Sequence, residues 1–301
     1  DRQQFLLIGY LLSEAHHENY RLVWCQDLEK GLKHIENNEC DVVLLDYHWG
    51  INCKDFIQRS YALNSKIPII VMTDDMELEV DQKAISEGAS DYLVKDTINA
   101  EVLERTLRYS MERKKIEYHL NYLAHYDYLT GLPNRVLFLD RLNQTIQLSQ
   151  RSNQQFTLMF IDLNDFKIVN DHYGHEMGDR LLKAFANRLT ENVRSSDTVA
   201  RIGGDEFTVL LNHMGSTAKI ISLAQKLIES VEAPFMIADQ KLLVGCSIGI
   251  AVYPDGGDSV ASIQRNADMA MYQAKQTGTS CYRFFVHQAR NDVLIESLSP
   301  D

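Results

Sequence analysis

The chain contains no apolar run approaching the ~18 residues that a membrane-crossing helix requires, so no membrane span is expected. Cysteine is sparse and unpatterned: Cys25, Cys40, Cys53, Cys246 and Cys281 are odd in number and include no CxxC pair. Such a set reads as reduced thiols, mostly packed in cores, in a cytoplasmic protein. The histidines show no HExxH spacing, and His172 and His175, which flank Gly174, read as structural. Positive charge is also short, with 30 Lys+Arg against 42 Asp+Glu and a net charge of -12. That balance argues against a nucleic-acid partner, which would need a basic face. What remains, 301 residues at 45% hydrophobic and 24% charged, is the composition of a soluble globular protein with room for two cores. The chain opens on Asp1 rather than methionine and is expected to be a piece of a longer protein.

The first ~95 residues alternate short apolar runs with amphipathic stretches, which argues for an α/β fold with a doubly wound parallel five-stranded sheet. The expected strands are Phe5 to Ile8, Arg21 to Cys25, Val42 to Leu45, Ile67 to Met72 and Asp91 to Val94. Ligands of such sheets gather beyond the carboxyl ends of the strands. Asp46, Thr73 and Lys95 end the third, fourth and fifth runs, so they should share one rim. Between Ile98 and Ala124 there is no glycine or proline, and a helix of about 40 Å is expected at ~1.5 Å per residue. Val102, Thr106, Tyr109, Arg113, Ile116, Leu120 and Leu123 step by four and three along it, an imperfect heptad seam. It could pair two chains as a stalk or lie on its own domain.

The second half carries the chemistry. Arg201-Ile202-Gly203-Gly204-Asp205-Glu206-Phe207 places two glycines and two acids between strand-like runs, Thr198 to Ile202 and Phe207 to Leu211. Gly-Gly between such runs reads as a tight hairpin turn. Carboxylates beside a backbone without side chains suit magnesium-bound nucleotide phosphates. Upstream, Phe156 to Ile161 reads as a buried strand ending on Asp162, inside the run Phe160 to Asp171. Leu181, Leu182, Phe185, Leu189 and Val193 recur at helical spacing, putting Asp179 on the first turn of a helix. Carboxylates from the strand end and the helix start can therefore converge with those of the hairpin.

Three further segments complete the pattern: Asp127 to Arg135, Ser247-Ile248-Gly249-Ile250-Ala251, and Ala267 to Lys275. Together, residues 121 to 286 resemble the GGDEF domains of diguanylate cyclases, which condense two GTP into cyclic di-GMP and release pyrophosphate. The resemblance implies a C-terminal α/β domain of nucleotidyl-cyclase-like fold. It implies two magnesium ions per site, with manganese as an alternative, held by Asp162, the Leu163 carbonyl, Asp205 and Glu206. Asp205 would also be the base for the 3′-hydroxyl, and Lys167 would offset charge on the phosphates. GTP would lie on Gly203, Gly204 and Lys275, its guanine read by Asn170 and Asp179. Arg194 and Asp197, an RxxD at the family's offset before the hairpin, would form the product-inhibition site. Each domain presents one GTP, so a homodimer is implied.

The N-terminal part resembles a response-regulator receiver domain, with Asp46 as phosphoacceptor, Thr73 as switch hydroxyl and Lys95 as phosphate partner. Receivers carry adjacent acids after strand one, where this sequence has Gly9-Tyr10, so phosphotransfer from a histidine kinase is not expected. The expected organisation is a receiver-like domain over 1–97, a helical stalk over 98–124, the GGDEF domain over 125–288, and a tail or linker start over 289–301. Where the family has Gly-Arg-Asn after the lysine, this chain has Gly278-Thr279-Ser280, which removes a bidentate phosphate contact. Two readings therefore stand: a diguanylate cyclase regulated by its receiver and its product, or a weak GTP- or cyclic di-GMP-binding module regulating a C-terminal EAL-type domain that this sequence lacks. An ATP-using nucleotidyl cyclase is a remote third.

Overall fold

The structure, a computed structural model, describes residues 2–14, 20–47, 53–63, 66–74, 85–212 and 216–286. The expected tail over 289–301 lies outside the described residues. The chain divides into two compact units, Asp1–Tyr122 and Leu123–Asp301. No helix among the described residues is long and apolar enough to cross a membrane.

In the first unit, strands β1 (Val43–Asp46), β2 (Ile69–Thr73) and β3 (Asp91–Val94) form a parallel sheet in that order. Every residue of β2 is buried, as expected of a central parallel strand covered on both faces. One face packs on Leu32, Ile35, Phe56 and Ile57, the other on Ile8, Leu11, Leu103 and Leu107. The fold class is the expected α/β, but the described sheet has three strands and not five. Phe5 to Ile8 lies within a helix, Arg2–Glu14, because Ile8 and Leu11 fall on one helical face and reach the core together. Leu6 and Leu7 point outward on that helix, at 62% and 46% exposure. Arg21 to Cys25 forms no strand; Leu22 packs against the core and Val23 is exposed. Gly9-Tyr10 is therefore inside a helix and does not follow a strand, so the missing acidic pair has lost its premise.

The expected linking helix is present as Ala100–His125, preceded by a 3-10 turn, Lys95–Thr97. Leu103, Leu107 and Ser110 form its buried line on the first unit. Seam residues Tyr109, Ile116, Leu120 and Leu123 are exposed, so the two candidate faces of this helix are different faces.

The second unit is built on a five-stranded sheet in the order β10-β9-β4-β6-β5, where β4 is Phe156–Leu163, β5 Thr198–Gly203, β6 Glu206–Asn212, β9 Cys246–Val252 and β10 Cys281–Phe284. A two-stranded ribbon of β7 (Phe235–Ile237) and β8 (Gln240–Leu242) stands apart. All eight residues of the central strand β4 are buried, and their alternation divides two cores. Met159, Ile161 and Leu163 face one core with Leu181, Phe185 and Leu189 of the helix His175–Glu191. Phe156, Leu158 and Phe160 face the other with Ile263, Ala267 and Met271 of the helix Val260–Lys275. Burying each large side chain contributes roughly 1.5–3 kcal/mol. The helix His175–Glu191 starts earlier than its apolar spacing suggested, at Gly174 with φ +84, so Asp179 sits past the first turn. Val193 lies beyond its end.

Gly249 on β9 lies so close to the helix Val260–Lys275 that an added Cβ would overlap Ala267 O and Met271 N, both backbone atoms. Neither can rotate away. Gly249→Ala is expected to cost about 3 kcal/mol, read as a lower urea midpoint with unchanged m-value; an unchanged midpoint would show that the helix can shift at no cost.

Candidate active site at the carboxyl end of the central strand

Register decides what meets here. Asp162 lies opposite Glu206 on β6 and opposite Ser247 on β9, and residues directly opposite share a face of the sheet. Asp162 has the parity of Phe160, so its carboxylate lies on the face covered by the helix Val260–Lys275. Lys275, the last residue of that helix, places Nζ 2.7 Å from Asp162 Oδ1. The strand runs one residue past Asp162, to Leu163, whose N–H donates to Asp205 O at 3.3 Å. Asp162, Asp205, Glu206 and Lys275 thus come together from a strand end, one hairpin and a helix end.

The hairpin loop itself is Gly204-Asp205, because Gly203 still pairs with Glu206. Gly204 at φ +54 supplies the positive φ that a two-residue hairpin needs. A Cβ at Gly203 or Gly204 would meet nothing within 4 Å, so the turn has an open approach. A register shift between Arg201 and Gly203 marks a bulge just before the turn, the kind of irregularity that re-aims side chains.

Sequence reasoning missed what holds this hairpin. Arg201 Nε and Nη2 donate to Gly204 O at 2.9 and 2.8 Å, while Nη1 donates to the Asp127 carboxylate at 2.9 and 3.2 Å. Asp127 also accepts from Thr130 N at 2.9 Å and Thr130 Oγ1 at 2.6 Å. Burial pushes Asp127 up, but the bonds from Thr130 and Arg201 outweigh it and hold the carboxyl below its usual range. Both residues sat inside quoted motifs, and an arginine directly before an acidic turn was the available signal. Asn164 was missed too: its N–H donates to Gly245 O at 2.9 Å and its Oδ1 accepts from Ser247 Oγ at 2.8 Å. These bonds fix the chain just beyond Leu163.

Asn170 and Asp179 come from adjacent helices, Phe166–Tyr173 and His175–Glu191. Asn170 lies against Gly178, where a Cβ would strike its Oδ1, so Asn170 is beside the residue preceding Asp179. Lys167 is exposed on the first turn of Phe166–Tyr173. Arg194 and Asp197 share a turn in which Asp197 accepts from Arg194 N at 3.1 Å and from Asn212 N at 3.2 Å. That tie leaves the Arg194 side chain at the surface. In the first unit, Lys95 Nζ lies 2.9 Å from Asp46 and 3.0 Å from Asp74, while Thr73, at the end of β2, is buried. The rim expected of Asp46 and Lys95 exists, with Asp74 as a further partner. Burial works against the Lys95 charge, but its two carboxylate bonds raise its pKa overall.

Asp162 is 4% exposed, and its enclosed Oδ1 meets the Lys275 ammonium at 2.7 Å. Burial pushes its pKa up, Lys275 pulls it down, and Asp205 adds to the rise. Glu206 is raised for the same first reason, reinforced by Asp268, Asp162 and Asp205. Desolvation lowers Lys275, but the Asp162 bond more than offsets it. The pair therefore favours the lysine charge while leaving Asp162 with a net penalty. Among the described residues no three His, Cys, Asp or Glu side chains are arranged to hold a metal by themselves. A buried carboxylate whose contact is a lysine ammonium, beside two more acids, nevertheless fits magnesium, which takes one or two carboxylates and completes its shell with water and phosphate.

A receiver domain ahead of a nucleotide-site domain is the class of protein this arrangement defines. The family described as diguanylate cyclase, GGDEF domain, matches residues 124–281 and the response regulator receiver domain matches residues 3–107. The chain belongs to the GGDEF family. It is similar to the bifunctional diguanylate cyclase/cyclic di-GMP phosphodiesterase MucR of Pseudomonas aeruginosa, at 42% identity over 193 residues, 64% of this chain and 28% of MucR. Diguanylate cyclase TpbB of the same species is 42% identical over 158 residues, 52% of this chain and 36% of TpbB. The solved GGDEF domain of TpbB gives a TM-score of 0.52 at 40% identity, covering 54% of this chain and 94% of that one. The chain thus spans 28% to 36% of the length of these two curated relatives.

A carboxylate with a raised folded pKa favours the fold below its unfolded value, and that contribution is lost as pH rises through the folded value. At neutral pH, without divalent ions, Asp162→Asn is therefore expected to melt roughly 2–4 °C above the wild type. The advantage should vanish at acid pH, where Asp162 is protonated. Calorimetry across pH checks this; a lower-melting Asn variant at pH 7 would show that Lys275 fully offsets the burial of Asp162.

Proposed function

We propose that the protein is a diguanylate cyclase working as a homodimer, each GGDEF domain holding one GTP. The observation that carries this reading is the convergence of Asp162, Asp205 and Glu206 beside an open glycine turn. In the reaction the 3′-oxygen of one GTP bonds to the α-phosphorus of the other, the bond to the β-phosphate oxygen breaks, and pyrophosphate leaves. The step is then repeated in the opposite direction, giving cyclic di-GMP and two pyrophosphates. Asp205 takes the 3′-hydroxyl proton. Lys167 and Lys275 carry positive charge toward the phosphates, and Arg201 holds the hairpin so that Asp205 does not drift. Two magnesium ions, or manganese, on Asp162, the Leu163 carbonyl, Asp205 and Glu206 would supply Lewis acidity and charge neutralisation. Such transfer depends on position and electrostatics more than on covalent catalysis.

Asn170 and Asp179 select guanine: the acid accepts from N1–H and N2–H, and the amide donates to O6 or N7. Adenine would leave both unpaired, a large discrimination. Arg194 and Asp197 bind the product, which restrains the enzyme. Asp46, with Thr73 and Lys95, is the candidate phosphoacceptor, and a histidine kinase is its candidate partner. A second reading, a GTP- or cyclic di-GMP-binding module serving an EAL-type domain, is favoured by Thr279 in place of the family's arginine.

Incubation of micromolar protein with GTP and magnesium, followed by nucleotide chromatography, separates the two. Cyclic di-GMP is expected, and Asp205→Asn should reduce it by at least ~100-fold. GTP binding without product would establish the second reading. The exposed seam gives a separate check: Tyr109, 56% exposed, replaced by cysteine should crosslink two chains through the helix Ala100–His125. Failure to form any covalent dimer would count against the stalk.

A further inference from the structure

Lys275 is the one cation that the described residues set against Asp162, at 2.7 Å. The carboxylate it meets is 4% exposed, with Lys275 at the contacted oxygen. The lysine side chain is 46% exposed, so its stem is free to swing while its Cα stays fixed. The backbone beneath it is firmly held. The helix Val260–Lys275 begins in a reciprocal Ser259–Ser262 capping box, packs against Gly249, and ends with Ala274 O accepting from Thr277 Oγ1 at 2.8 Å. Only the side chain can move.

From this geometry we infer that Lys275 is a resident counter-ion that exchanges with the divalent ion: its ammonium neutralises Asp162 in the nucleotide-free protein and leaves when a metal takes that oxygen. An ammonium at hydrogen-bonding distance and a divalent cation cannot share one carboxylate oxygen, because their repulsion at a few ångströms in a half-dry site is large. Released, Lys275 has the nucleotide's phosphates as its next anionic partner. The exchange couples the two ligands. Metal alone must displace the lysine into water, whereas metal arriving with GTP gives the displaced charge a phosphate to meet. This goes beyond a phosphate-clamp role for Lys275, and it rests on the reading of Asp162 as a metal ligand.

The test measures Mn2+ affinity without nucleotide, by electron paramagnetic resonance of free Mn2+, on the full chain. Lys275→Met, which keeps length and loses charge, is expected to bind Mn2+ roughly tenfold more tightly than the wild type while binding GTP more weakly. Lys275→Gln offers Asp162 an N–H without a charge, so it spares the fold and should tighten Mn2+ binding as well. Lys275→Arg should behave as the wild type. Lys226→Met, on the exposed face of the helix Thr217–Glu232, controls for net charge and should change nothing. Unchanged or weaker Mn2+ binding in folded Met and Gln variants, or no Mn2+ binding in any variant, overturns the exchange. Its failure is distinct from that of the cyclase reading. Cyclic di-GMP from the wild type with no tightening sinks only the exchange; tightening with no product sinks only the cyclase.

Discussion

A carboxylate at the end of a fully buried strand has to be neutralised, and the second unit is arranged around that requirement. Asp162 continues a strand whose eight residues are all buried, so it cannot turn to solvent without dragging β4 with it. Ionised and alone in such a place it would carry a penalty of several kcal/mol. Lys275 relieves part of it, from a helix fixed on the same face by Ile263, Ala267 and Met271. A slip of one residue in β4 would turn Asp162 to the opposite core and present Leu163 to the lysine. The packing of Phe156, Leu158 and Phe160 on one face and Met159, Ile161 and Leu163 on the other prevents that slip. Burial of the central strand thus sets the chemistry at its end.

The acidic hairpin needs a different kind of support, since Asp205 and Glu206 repel Asp162 and each other. Arg201 provides it by bonding the turn carbonyl of Gly204 and the carboxylate of Asp127 with one planar guanidinium. A lysine could not span both, because a single ammonium lacks the rigid fork. Asp127 belongs to the loop that follows the helix Ala100–His125, and Asn134 returns from that loop to bond Ala124 O at 2.9 Å. Arg201 thus ties the Gly204 carbonyl to Asp127, and Asp127 lies in the loop whose Asn134 bonds the last turn of that helix.

The second unit was legible because its signals agreed. Phe156 to Ile161 is long, apolar and β-rich, the hairpin carries glycines at its turn, and the helix spacing is regular, so β4, β5 and β6 fell within two residues of their expected bounds. The side chains that support the site were not legible in the same way. Arg201 and Asn164 act through partners 74 and 83 residues distant, and although an arginine before an acidic turn is a local signal, its partner Asp127 is not announced nearby. In the first unit, Phe5-Leu6-Leu7-Ile8 is a short continuous apolar run, which periodicity cannot assign to helix or strand. Leu11 and Leu12 extend it at helical spacing, and the segment folds as Arg2–Glu14. Reading it as a strand misplaced only the acids thought to be absent; Asp46 and Lys95 share the expected rim because β1 and β3 run parallel on either side of β2.

The departure at Gly278-Thr279-Ser280 has a structural counterpart. Ser280 Oγ accepts from Cys246 N at 3.3 Å and fills the space over Gly245, whose carbonyl in turn takes the Asn164 N–H. Thr279 packs its hydroxyl 3.4 Å from Thr277 Oγ1, within the turn that ends the lysine-bearing helix. These short side chains make a compact turn that braces β9 and the segment after Leu163, where a long arginine would reach outward for phosphate. Lys275, the group that neutralises Asp162, stands directly before this turn. A site with one fewer cation depends more on where that remaining charge sits, and the 2.7 Å contact sets it on Asp162.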